Sequence, residues 1–313
     1  MRLRDLNFAD LYLGDRSAWL CGGDIANDPL AAPPEMMDDV RALRALCQRT
    51  GQQRREFSVR YDGVAYRVSL IQTMNEEVYV LRRFPKSVPK LESLGLHPGL
   101  VNKLLTPKLT GLIMVAGAFA QGKTTTASAV IVSRLHKFGG VAITIEDPPE
   151  MPLEGQHGQG VCYQTWCEHG QFGESLRHAA RWAPHIIFVG EVRDAETASE
   201  ALITSINGRL VVCTIHADNV ISAIERLFAL ANSAGRSSDD VSSLMSKGLA
   251  CVLHQRLEGN PRRPIIEFLY LKDDESAGAR SQIKARRLEQ LGNEISLQAT
   301  RLRMVKELAC PGT

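Results

Sequence analysis

Four short runs are nearly continuous in hydrophobicity: GLIMVAG from Gly111, GVAITIED from Gly140, HIIFVGEV from His185 and RLVVCTIHA from Arg209. Runs of this length predict strands buried on both faces. Between them lie helical patterns, Thr124 to Phe138 closed by Gly139-Gly140 and Ala195 to Ile206 closed by Asn207-Gly208. Strand and helix in alternation predict an α/β core with a parallel sheet and crossover helices, over residues 101–272. The stretch before it reads differently. Arg55 to Tyr61 and Val64 to Ile71 alternate in type around Asp62-Gly63, a hairpin signal, and a charged helical segment from Pro34 to Arg49 follows a Pro-rich loop. A small α+β domain over residues 1–90 fits this pattern. Pro85, Pro89 and Pro98, among few large apolar residues, predict a linker at 91–100. Beyond Lys272 basic residues such as Lys284, Arg286, Arg301 and Arg303 are spaced among Leu288, Leu291, Ile295 and Leu302, which predicts C-terminal helices at 273–313 with a solvated charged face.

Composition narrows the class without deciding it. With 313 residues, 44% hydrophobic and 23% charged, the chain can bury a real core. A formal net charge of +2 gives no general field for nucleic acid or an anionic membrane. Arg4, Asp5, Asp10 and Asp15 interrupt the start, so no apolar leader is expected, and no run reaches the roughly 20 apolar residues that span a bilayer. The seven cysteines are scattered, which predicts reduced thiols and a cytoplasmic protein.

The sharpest chemical signal is Gly117-Ala-Phe-Ala-Gln121-Gly122-Lys123-Thr124, which satisfies G-x-x-x-x-G-K-[ST] between an expected strand and an expected helix. Glycines there let main-chain N–H groups close around phosphate oxygens, Lys123 can reach the β- and γ-phosphates, and Thr124 offers a hydroxyl to Mg²⁺. Gly117, Gln121, Gly122, Lys123, Thr124 and Thr125 are therefore the candidate ATP-binding segment. Glu191 follows the third apolar run, where the end of a parallel strand faces such a site, so it can orient water or hold Mg²⁺ through water. His216 ends the fourth run and could bond the γ-phosphate or the water.

Three further blocks, in order, resemble those of the ATPases that drive type IV pili and type II/IV secretion. Ile143-Thr-Ile-Glu146-Asp147-Pro148-Pro-Glu150 resembles their acidic Asp box. Phe188-Val-Gly190-Glu191-Val-Arg193-Asp194-Ala-Glu196-Thr197 is similar to their Walker B region, and Cys213-Thr214-Ile-His216-Ala217 with Glu225-Arg226 looks like their His box. Gln255-Arg256-Leu257 extends the likeness, which runs from about Tyr61 to Leu271. The resemblance implies a RecA-like P-loop core behind a PAS-like α+β domain, and ATP and Mg²⁺ as ligands. It implies a homo-hexameric motor at the cytoplasmic face of the inner membrane, held there by a platform or other machine proteins and not by nucleic acid. Within the family the short N-terminal domain resembles that of the pilus retraction motor and of the type IVB secretion and conjugation ATPase.

The resemblance gives Glu146 a role like that of Glu191, and the general base is left open between them. It makes Arg226 an ATP-binding residue and sets the N-terminal Arg67 and Arg82 beside bound ATP; read alone, these two are surface arginines near a domain junction. Arg193 has two readings, an ion pair with Asp194 or a subunit-interface role. Two departures stand out. Ala120-Gln121 replaces the usual Gly-Ser of the loop, at some cost in backbone freedom. Ala183-Pro184-His185 replaces Asp-Pro-Asp, which leaves no carboxylate there to help organise the site and bears on the turnover rate. His157, Cys162, Cys167 and His169 could ligate zinc, but their spacing matches no common zinc finger. The competing reading for the whole chain is a RecA-like nucleic-acid translocase.

Overall fold

The computed structural model describes residues 2–24, 28–51, 54–167, 170–260 and 262–309, with side chains to 304. The chain divides into two units, Met1–Ser87 with Asp147–Pro152, and Val88–Glu146 with Leu153–Thr313.

The first unit holds β1 (Asp10–Leu13), β2 (Ala18–Cys21), β3 (Leu30–Ala31), α1 (Met37–Thr50), β4 (Glu56–Tyr61), β5 (Val64–Gln72) and β6 (Glu77–Arg83). Its strands form one antiparallel sheet in the order β3-β2-β1-β6-β5-β4. The expected hairpin is β4–β5. Asp62 and Gly63 both take positive φ, +47° and +80°, as a tight two-residue turn between twisted strands requires. Alternation along the strands buries Tyr66, Val68, Tyr79 and Leu81 on one face, where α1 contributes Val40, Leu43 and Cys47 at helical spacing. Arg67 and Arg82 fall on the other face and are direct cross-strand partners.

The second unit holds α2 (Pro98–Leu104), β7 (Gly111–Ala116), α3 (Lys123–Phe138), β8 (Gly140–Glu146), β9 (Gly155–His157), β10 (Gly160–Trp166), α4 (Phe172–Arg181), β11 (Ile186–Val189), α5 (Ala195–Ile206), β12 (Leu210–Ile215), α6 (Val220–Ser233), α7 (Ser238–Gly248), β13 (Leu249–Glu258), β14 (Arg263–Tyr270), α8 (Ala277–Lys284) and α9 (Leu291–Ala309). Eight strands run in the order β14-β13-β7-β12-β11-β8-β10-β9, with parallel pairing throughout except for the antiparallel strands at each end. Every residue of β7, β11 and β12 is buried, as their uninterrupted hydrophobicity predicts. Residues of α4 to α9 join one face of the sheet in a single core, while α3 packs against β7, β8, β10 and β12 without entering that core.

The expected linker is not one. Residues 91–94 form a 3₁₀ turn and Pro98 opens α2, and Leu91, Leu96, Leu100 and Leu104 are buried within the second unit. Each such leucine contributes roughly 1.5–3 kcal/mol. The end of α2 is further held by the buried Arg134 of α3, which donates to the Leu104 carbonyl at 2.7 Å and the Thr106 carbonyl at 3.1 Å. Pro98 takes the first position of a short helix, and the prolines here do not keep the chain loose. The C-terminal helices are likewise fastened, since buried Gln298 of α9 accepts from the Tyr270 N–H at 2.8 Å and donates to its carbonyl at 2.9 Å.

Candidate nucleotide site

Strand register brings the candidate residues to one edge. Ala116, the last residue of β7, pairs with Ile215 of β12 on one side and His254 of β13 on the other, so Gly117, His216 and Gln255 follow side by side. Val189 of β11 pairs with Cys213 and Ile145, so Gly190 and Glu146 leave the sheet at the same end. Parallel strands present their carboxyl ends together, and ligands of α/β sheets bind there.

The loop from Gly117 to Gly122 connects β7 to α3. A Cβ on Gly117, whose φ is +153°, would stand 2.4 Å from the Gln255 carbonyl oxygen, so no other residue fits. Gly122, at φ +74°, turns the chain into the helix. Ala120 also lies in the left-handed region, at φ +58°, where a side chain costs about 1 kcal/mol. The first turn of α3 carries no acidic residue, so the positive end of the helix suits an anion. Lys123 folds back to donate to the Gly117 carbonyl at 2.9 Å and the Ala118 carbonyl at 2.8 Å.

Glu146 ends β8 almost wholly buried, at 2% exposure, and its Oε1 accepts from Gln164 Nε2 of β10 at 2.9 Å. Glu191 is more open. Its Oε2 receives Arg193 Nε at 2.7 Å, and the Gly190 turn before it is held by Thr214, whose hydroxyl donates to the Gly190 carbonyl at 2.5 Å. Asp194 is therefore not the partner of Arg193. It caps α5, accepting from the Thr197 N–H at 2.8 Å and from the Thr197 hydroxyl at 2.7 Å.

Among the other candidates, His216 is exposed just beyond β12, and Arg226 is exposed on α6. Arg82 makes a two-pronged contact with Asp10, at 2.8 and 3.0 Å, and Arg67 reaches Glu56 at 3.0 Å and Glu150 at 2.6 Å. Both belong to the first unit. Of the four residues weighed for zinc, Cys162 is buried in β10, where burial pushes its thiol up to about 12; His157 Nε2 lies 2.7 Å from the Leu153 carbonyl, and His169 lies outside the described residues.

The Asp-Pro-Asp departure is corrected by position. His185 precedes β11 and meets the first residues of β8: its N–H donates to the Val141 carbonyl at 2.9 Å, and its Nδ1 accepts from the Val141 N–H at 3.1 Å. Four strand residues, about 13 Å at strand rise, separate it from the end that carries Glu191. The substitution concerns how β11 enters the sheet and not the organisation of the carboxylates.

A parallel sheet in this order, with a glycine loop opening α3 and carboxylates at the ends of neighbouring strands, defines a RecA-like P-loop nucleotide-binding core. The type II/IV secretion system protein family matches residues 47–292, and the chain belongs to that family. The type IV pilus ATPase PilU of Pseudomonas aeruginosa is 34% identical over 233 residues, covering 70% of this chain and 59% of the relative. The type II secretion system protein HxcR of the same organism is 36% identical over 165 residues, 51% of this chain and 34% of the relative. The chain thus spans less than two thirds of these relatives. The crystal structure of the pilus retraction motor PilT with bound ADP superposes with a TM-score of 0.77 at 25% identity, covering 94% of this chain and 87% of that one.

Proposed function

We propose that this chain is an ATP-hydrolysing motor subunit that works as a homo-hexamer at the cytoplasmic face of the inner membrane, driving a pilus, conjugation or secretion apparatus. The observation that carries the proposal is the meeting of the glycine loop, Glu146, Gly190-Glu191 and His216 on one sheet edge. The naming of an ATPase relative and an ADP-bound structural neighbour supports the same ligand. Lys123 and the N–H groups at the start of α3 hold the β- and γ-phosphates of ATP. Thr124 and, through water, Glu191 would hold Mg²⁺, which would neutralise phosphate charge there. Glu191 or Glu146 orients the attacking water and takes its proton, and His216 bonds the γ-phosphate or the water.

Gln164 supports this assignment of Glu146, because a buried carboxylate that receives an amide donor keeps one orientation. Gln164→Leu is expected to lower kcat about tenfold, the worth of one charge-assisted hydrogen bond, with ATP affinity unchanged. In a Glu146→Gln background the same change adds nothing. Additive losses, measured by steady-state turnover of the two single variants and the double variant, would separate Gln164 from Glu146.

Arg67 and Arg82 support the ring. Like charges directly opposite on neighbouring strands oppose folding, and here three carboxylates balance them. Set beside ATP of a neighbouring subunit, such guanidinium groups bond phosphate bidentately and register its loss. ATPase rate per subunit is expected to rise with protein concentration, and Arg82→Ala to impair turnover more than ATP binding. Sedimentation with a non-hydrolysable analogue, beside kinetics of the variant, tests both; a monomer of full activity with an indifferent Arg82 defeats the ring. Stimulation by a cytoplasmic segment of an inner-membrane secretion protein, and not by single-stranded DNA, separates the motor from a nucleic-acid translocase.

A further inference from the structure

Gln255 follows His254, which pairs with the last residue of β7, and so stands directly beside the start of the glycine loop. Its side chain is 2% exposed, yet both of its polar ends are used. Oε1 accepts from the Thr126 hydroxyl at 2.6 Å, and Nε2 donates to the Gln121 main-chain carbonyl at 2.6 Å. Gln121 answers across the same gap, its Oε1 accepting from the Leu257 N–H at 2.7 Å. The two loop glycines close the fit: a Cβ on Gly117 would meet the Gln255 carbonyl oxygen, and one on Gly122 would stand 3.0 Å from Gln255 Nε2.

These bonds consume one carbonyl, one hydroxyl and one N–H of β13. They leave the N–H groups of the loop for an anion and do not involve Lys123 or Thr124. They also fasten Gln121, the residue next to Ala120, which is the one residue between Gly117 and Gly122 held in a left-handed conformation with a side chain to bear the steric penalty. In the sequence, Gln121 looks like a loss of the usual small residue; in the fold it is half of a brace.

We propose that Gln255 is a positioning residue for the nucleotide, holding the loop open around phosphate through Gln121 and Thr126, and that Gln121 completes a brace that keeps Ala120 in place. The inference rests on reading the loop as the nucleotide site. Because the side-chain amides of both glutamines are engaged with protein groups, the brace acts on affinity through the loop.

The test is titration of the full chain with a labelled ATP analogue, with thermal unfolding of each variant to establish that it is folded at the titration temperature. Gln255→Leu is expected to weaken binding about tenfold or more, since it orphans the Thr126 hydroxyl and the Gln121 carbonyl. Adding Ala120→Gly should recover about fivefold of that loss, because glycine holds the left-handed conformation without the brace. A merely structural role for Gln255 predicts no such recovery. Where Gln255→Leu fails to fold, Gln121→Ala removes only the bond to Leu257 and is expected to weaken binding about threefold or more, again recovered by Ala120→Gly. Wild-type affinity in these variants, or a loss that Ala120→Gly leaves untouched, overturns the brace. Lys123→Ala run alongside keeps the two readings apart: if it binds normally, the nucleotide site itself is misassigned and the brace falls with it; if it loses binding while Gln255→Leu does not, only the brace falls.

Discussion

Lys123→Ala is expected to raise the Kd for ATP by a factor on the order of 10² or more, because hydrogen bonds from a charged donor to phosphate are among the strongest single contacts a site can make. The ammonium is positioned for this. It already lies against the carbonyls of Gly117 and Ala118, within the loop that it would leave to meet the β- and γ-phosphates. The first turn of α3 contributes N–H groups and no second cation of its own, and its acid-free sequence would draw in the anion without neutralising it. Equilibrium titration with a labelled analogue decides the matter, and wild-type affinity in the variant would remove the phosphate site from this loop.

Glu191→Gln is expected to keep nucleotide affinity and to lower turnover by a factor on the order of 10² to 10⁴, the range that a positioned acid–base group contributes. Glu191 is the more accessible of the two carboxylates, and its turn is fixed from β12 through the Thr214 hydroxyl. Glutamine preserves its size and can still meet Arg193, so a fall in rate would follow from the lost charge and not from a displaced loop. Single-turnover hydrolysis beside binding separates the two quantities. Unchanged turnover, together with an inactive Glu146→Gln, would transfer the base to the buried carboxylate on β8.

How far the sequence carried this picture depended on whether a signal was local. The strands β7, β8, β11 and β12 were legible because burial on both faces leaves uninterrupted apolar runs. Helices α3 and α5 were legible to within a residue because glycine and asparagine close them. The Asp62-Gly63 turn was legible because few residues accept its backbone. By contrast, β1 and β2 are four residues each, too short for alternation to stand out, and β9 is three. The family likeness was legible in four ordered motifs, and the match over residues 47–292 bears it out.

Within the site the motifs named the glycine loop, both carboxylates and His216, but not what holds them. Gln164 is a lone amide in an unremarkable run, and only the pairing of β10 with β8 brings it to Glu146. Arg193 had a carboxylate beside it in the chain, and that neighbour is occupied by the N-terminus of α5. His185 was misjudged for the opposite reason: it is near Glu191 in sequence, but a strand carries one to each end of the sheet.

The ends of the eight-stranded sheet carry a consequence for assembly. At one margin β9 is three residues long, begins at Gly155 and is followed by Gly158; at the other, β14 begins Arg263-Pro264 and is packed against α9. A three-residue strand offers too few main-chain groups to template a neighbour, and proline removes a donor from the other margin. Extension of the sheet from copy to copy is thereby discouraged, as natural edge strands require if chains are to remain separable. Where copies of this chain associate, the eight-stranded sheet is therefore suited to meet a neighbour through side chains, in contrast to the backbone-locked stacking that an open margin would invite.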